Sequence, residues 1–275
     1  GEVYDIVVAL DFVLEIMRSE RLLQPITHDN IPNLDNLSEQ FVSPSYDPGN
    51  RYCAAYQWGT IGIGYNTDTV DEEITGWDDF FDPKYAGRIS MLDDSRNSLA
   101  ITLLYLGYSP NTTNQEAIQE AVSFLEERKD SIVAFAPDTG QDMLLAGEVD
   151  IALEWSGDIF QAIGENPALQ YVIPEEGTVV WADSMCIPAN APNPELAEAF
   201  INYILDAEVG AQLTNFIRYG SPNEASLSLI SEDDRNNRAI YPSDAVQDRL
   251  FSLVSLDSNS NEIYDNLWEA LVASH

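Results

Sequence analysis

Aromatic rings and carboxylates recur together at short spacings in this chain. Trp181 and Asp183 stand two apart in a strand-like run over 178–187 that Pro188 ends, and in a strand residues two apart share a face. Trp155 precedes Asp158 by three residues, and Asp94 follows a third apolar run over 88–92. A Trp face beside a fixed carboxylate suits an organic cation: the ring quadrupole attracts the ammonium and its methylenes, and the carboxylate holds the charged head. The competing explanation is structural. A Trp fills a core, and Asp94 and Asp158 each stand where a helix N-cap belongs.

Other chemistries are poorly supplied. His28 and His275 are the only histidines, which leaves little for a Ser-His-Asp triad or a His-rich metal site. A glycosidase-type acid pair needs a fixed carboxyl separation that sequence spacing does not provide. Gly59, Gly62 and Gly64 lack the order of a nucleotide loop, and glycines inside a strand more often mark bends or close backbone approach. The tract from Asp257 to Glu262 opens like a calcium loop, but Glu262 takes the place of the required Gly and Trp268 that of the bidentate Glu. It reads as a polar loop. No catalysis, metal or cofactor is expected.

These groups need a scaffold, and the pattern supplies one. Apolar runs over 4–10, 54–66, 88–92, 149–154 and 178–187 read as strands. Helical patterns follow several of them: one after Asp11, taken as its N-cap, then 97–106, 115–129, 143–146, 159–163, one opened by Asn193 and Pro194, one capped by Asp206 and ending near 217, and two last ones at 243–254 and 261–273. Strands alternating with helices predict an α/β protein. A chain of 275 residues accommodates two domains.

The charge narrows the partners. With 12 basic and 47 acidic residues the net charge is −35, which disfavours nucleic acid and anionic membrane surfaces. It favours cations, although most of it reads as a solvated surface suited to a salty habitat. Cys53 and Cys186 sit in apolar runs and read by default as buried free thiols, with a single disulfide left open as the alternative though nothing in the spacing indicates it. No apolar run reaches membrane-spanning length.

Several motifs keep a common order along the chain: 4–8 (YDIVV), 57–66 (QWGTIGIGYN), 92–94 (LDD), 106–109 (LGYS) with 111–113 (NTT), 155–158 (WSGD), 181–184 (WADS) with 187–190 (IPAN), 219–223 (YGSPN) and 240–242 (IYP). In them the chain resembles the periplasmic spermidine/putrescine-binding proteins of polyamine ABC transporters. The resemblance implies a type II periplasmic-binding fold, two α/β lobes with a central cleft. It divides the chain into 1–59 with 182–227 and 60–181 with 228–275. It also implies that the family's first two strands would precede Gly1, leaving the first lobe incomplete.

By the same likeness Trp155 and Trp181 are the aromatic walls, Asp183 the carboxylate that holds an amine, and Tyr219 the ring that closes that end. Asp94 matches the far acid of spermidine-type receptors and Asp158 that of putrescine-type receptors. Leu10 and Phe12 stand where spermidine receptors have a serine and a tyrosine, and Asn97 where a second glutamate is usual, so the pocket mixes both subtypes. The implied protein is a monomeric, periplasmic or extracytoplasmic receptor, with a lipid anchor as one form. It would hand putrescine or spermidine to ABC permease subunits. The alternatives are a polyamine-sensing domain of the same fold and a carboxylate-dependent hydrolase.

Overall fold

The computed structural model describes residues 3–275. In chain order its strands are β1 (Val7–Leu10), β2 (Cys53–Asn66), β3 (Ile89–Leu92), β4 (Ile132–Ala136), β5 (Ile151–Trp155), β6 (Leu169–Val172), β7 (Thr178–Cys186) and β8 (Leu250–Ser252). Its helices are α1 (Asp11–Ser19), α2 (Trp77–Phe80), α3 (Ser95–Tyr105), α4 (Gln115–Glu126), α5 (Gly140–Ala146), α6 (Ser156–Glu165), α7 (Pro194–Ile204), α8 (Ala207–Ile217), α9 (Glu232–Asn236), α10 (Asp244–Gln247) and α11 (Ser258–Ala273). The chain separates into two compact units. Unit 1 is Gly1–Gly59 with Trp181–Tyr241, and unit 2 is Thr60–Val180 with Pro242–His275.

In unit 1, β1 runs antiparallel to the end of β7, Val7 opposite Cys186 and Leu10 opposite Asp183. Leu14 and Leu23 pack beneath them against Cys53 and Cys186. The two cysteines are not free thiols as their surroundings suggested. Segments 133 residues apart bring their Cα atoms to 4.4 Å, and a disulfide joins them. Residues 228–241 lie in this unit, whereas the sequence assigned them to the second lobe. Asp234 takes the Arg218 guanidinium at 2.6 Å, and the Tyr241 hydroxyl accepts the Ser221 N–H at 3.1 Å. Such tertiary bonds leave no periodic trace in a polar, turn-rich segment.

Unit 2 is built on five strands in the order β6, β2, β5, β3, β4, with β2 antiparallel to both its neighbours and β5, β3 and β4 parallel. Strands β4 and β6 were not legible beforehand; both are short and only partly alternating in burial. The helix expected over 243–254 is one turn, α10, followed by β8, which pairs in parallel with Thr178–Val180. Gly177 explains that change. Its φ is +100°, and a Cβ there would lie 2.1 Å from the Arg249 carbonyl oxygen, so only glycine lets that backbone close in. The calcium-like tract is the start of α11, where the Asp257 carboxylate accepts the Ser260 N–H at 3.0 Å and its hydroxyl at 2.7 Å.

Candidate functional site

In unit 1 the site residues gather at β7 and the segments packed on it. Trp181 is 6% exposed and meets the Tyr219 ring edge-on, centroids 5.1 Å apart. Tyr219 is held by its neighbour: Gly220 and Trp58 exchange backbone hydrogen bonds of 3.0 and 2.9 Å. A Cβ on Gly220 would stand 2.5 Å from the Trp58 ring. Asp183 is half-buried and accepts a hydrogen bond from Gln57 Nε2 at 3.0 Å. Burial pushes its carboxyl above the usual range, and the Gln57 bond only partly offsets this. Phe12, half-buried, follows on the first turn of α1.

Asp11 differs from its expected role. The N-cap position is Leu10, and Asp11 is the first residue of α1, its carboxylate accepting the Phe12 N–H at 2.8 Å. It is 6% exposed. Burial raises its pKa to about 7, the charges of Asp183 and Glu15 add to the rise, and the Phe12 and Ala182 N–H groups oppose it. Register accounts for the meeting, since Asp11 follows directly on Leu10, the partner of Asp183.

In unit 2 the carboxyl ends of the parallel strands β3, β5 and β4 lead to Asp94, to Trp155 with Asp158, and to Asp138 respectively, the edge at which α/β sheets place ligands. Asp94 caps α3 by accepting the Asn97 N–H at 2.8 Å. Asn97 is buried, and its side-chain Nδ2 has no partner among the described residues. Asp158 does not cap α6 as expected; it stands on the helix's first turn and accepts from Gln161 at 3.2 Å. Beside it lies a carboxyl that sequence reasoning missed. Glu154 is fully buried, its two oxygens accepting the Trp155 and Gly140 N–H groups, each at 3.0 Å. Burial raises its pKa to about 8, and Asp158 and Asp138 push the same way.

Ligand atoms of Asp138, Glu154 and Asp158 all lie within 4.8 Å of one another. Three carboxylates at that range suit a cation, whether a metal ion or an ammonium. Among the described residues no Lys or Arg pairs with Asp11, Asp183 or Glu154. Asp94 differs, since the buried Arg96 guanidinium in the same turn feels its charge. Unit 1 thus holds Phe12, Trp181, Asp183 and Tyr219, and unit 2 holds Asp94, Asn97, Trp155 and Asp158. A signal for the missed acids was present. Asp11 and Glu154 are acids directly at strand ends in otherwise apolar runs, where a charge needs a reason.

Each α/β unit thus carries acids and aromatic rings at or near strand ends, a donor set suited to a small cationic solute. The chain belongs to the bacterial extracellular solute-binding protein family, whose model matches residues 3–238. It is 35% identical over 240 residues to the spermidine/putrescine-binding periplasmic protein of Escherichia coli, covering 87% of this chain and 69% of that one. It is 32% identical over 284 residues to the putrescine/agmatine-binding protein of Pseudomonas aeruginosa, covering 96% and 77%. Among solved structures, the spermidine/putrescine ABC transporter substrate-binding protein of Streptococcus pneumoniae, in complex with calcium and HEPES, matches with a TM-score of 0.86 at 31% identity, covering 98% of this chain and 84% of that one. A lipoprotein of Treponema pallidum matches with a TM-score of 0.87 at 26% identity, covering 98% and 85%. Among the described residues no helix is long and apolar enough to cross a membrane.

Proposed function

We propose that this protein is an extracytoplasmic receptor, monomeric, that captures a linear polyamine and delivers it to the permease subunits of an ABC transporter. The observation that carries the reading is that the buried Asp11 and Glu154 and the half-buried Asp183 have no Lys or Arg partner among the described residues, while aromatic rings lie close to them in the chain. A buried carboxylate without a counter-charge costs several kcal/mol, and an ammonium supplies that charge. In unit 1 Asp183 is the partner for an ammonium, with Trp181 and Tyr219 as its walls and Phe12 nearby. In unit 2 the partner for an ammonium is Asp158, beside Trp155. Asp94, already neighboured by Arg96, is the weaker candidate, with Asn97 behind it.

With Asp158 as the putrescine-type acid, and with Leu10, Phe12 and Asn97 in place of polar or acidic groups of spermidine receptors, the reading favours a putrescine-sized diamine, with spermidine as the alternative ligand. The Cys53–Cys186 disulfide supports an oxidising compartment outside the cytoplasm. A lipid anchor, as the Treponema pallidum relative's description as a lipoprotein suggests, is one way to keep such a receptor beside its permease. Titration calorimetry with putrescine, spermidine, a sugar and an anionic amino acid tests the reading. A 1:1 isotherm for at least one polyamine is expected. Tight binding of the sugar or the anion, with no heat from any polyamine, overturns it.

A further inference from the structure

Each unit buries one carboxyl close to an acid of the proposed site: Asp11 follows directly on Leu10, the cross-strand partner of Asp183, and Glu154 has a carboxylate oxygen within 4.8 Å of one of Asp158. We propose that Asp11 and Glu154 are themselves binding residues, each giving up a proton so that two carboxylates, not one, face the ammonium that its unit binds. This rests on the polyamine reading and extends it. Among the described residues the groups that act most strongly on both are acidic or neutral. Asp11 is faced by Asp183 from β7, by Glu15 from its own helix and by the Tyr46 hydroxyl, with the Phe12 and Ala182 N–H groups as donors. Glu154 is faced by Asp158 from α6, by Asp138 from the link after β4 and by Tyr171 from β6, with the Trp155 and Gly140 N–H groups as donors.

Two close carboxylates of like charge, one of them buried, ionise together without a cation only at a cost, so in the empty protein one of each pair stays protonated below about pH 7. The pKa values near 7 for Asp11 and 8 for Glu154 agree with that. An arriving ammonium reverses the balance: it favours the second carboxylate, and the proton leaves to solvent. No bond of the ligand changes. Each such exchange makes affinity rise by up to tenfold per pH unit below the free group's pKa and level off above it.

The test is calorimetry of the full chain with putrescine at pH 6 and 7.5, each in two buffers of different ionisation enthalpy, so that protons released per ligand can be counted. The wild type is expected to release close to two protons at pH 6 and about one at pH 7.5. Asp11→Asn and Glu154→Gln should each still bind and release about one proton fewer at pH 6. Carboxyl carbon NMR of the wild type needs no substitution. It should show two carboxyls titrating near 7 and 8 in the empty protein, both shifted well below that range by putrescine. Putrescine binding with no proton release at pH 6, or release undiminished in both variants, overturns the proposal. So does an NMR titration with no carboxyl above its ordinary range. A wild type that gives no heat with any polyamine refutes the underlying reading of function instead, which keeps the two failures apart.

Discussion

Asp183 is the residue on which most of the proposed affinity rests. It sits on a strand, its orientation fixed by the β1–β7 register and by Gln57. Asp183→Asn removes the charge and nearly keeps the shape, and should cost about 2–5 kcal/mol of putrescine binding, much of it from an ammonium left without its partner. Calorimetry within a factor of two of wild type would move the role elsewhere. Which acid of unit 2 serves the ligand is decided by comparing Asp94→Asn with Asp158→Asn. Asparagine caps a helix as well as aspartate does, so Asp94→Asn should leave α3 intact. Asp158→Asn is expected to weaken putrescine more than Asp94→Asn does. The reverse order, with spermidine the tighter ligand of the wild type, would make the site spermidine-type. At this scale the sequence picks out Trp155, Trp181 and Asp183 by residue type and by their place along or after an apolar run. For Asp11 and Glu154 it offers only an acid at the end of such a run, because depth and like-charge proximity arise from register and tertiary contact that no local spacing encodes.

Elements were legible in proportion to their length. The long β2, the amphipathic α4 and the capped α8 all carry their own signals: a long apolar run, one apolar face, and Asp206 bonding two N–H groups at its start. Strand β8 carries none. It exists because Gly177 admits the Arg249 backbone beside β7, so an apolar stretch that could have been helix is claimed by a sheet edge. The Cys53–Cys186 bridge is likewise a tertiary fact, closing a loop of 133 residues. It ties together two segments whose neighbours, Gln57 and Asp183, meet in the site. Replacing both cysteines by serine, or reducing the bridge, should lower stability by about 2–5 kcal/mol and weaken ligand binding through looser placement of Asp183. Denaturant unfolding with and without reductant measures the first effect. An unchanged midpoint would show that the core around Leu14 and Leu23 holds those segments without help.

For the molecule as a whole, a net charge of −35 and the raised carboxyls act on stability in the same direction. Asp11 and Glu154 have folded pKa values of about 7 and 8 against ordinary values of 3.8 and 4.5. Between those limits the folded chain binds more protons than the unfolded one, so stability falls as pH rises. Their contribution is fully present below about pH 4 and is lost as pH climbs through 7 and 8, on the order of 4–5 kcal/mol for each group. Self-repulsion among surface acids also grows with pH, but salt distinguishes the two. Repulsion between exposed charges is screened within about 3 Å at 1 M salt, whereas the desolvation of a buried carboxylate is not. The empty protein should therefore melt several degrees higher at pH 5.5 than at pH 8, and a clear part of that difference should survive in 1 M NaCl. Combining Asp11→Asn with Glu154→Gln should remove the surviving part while leaving the low-salt part in place. A saturating diamine should flatten the slope in the wild type, since it supplies the missing counter-charges. A melting midpoint that is flat from pH 5.5 to 8 in 1 M NaCl would mean that the buried carboxyls find their compensation inside the protein, and that the acidity of this chain belongs to its surface alone.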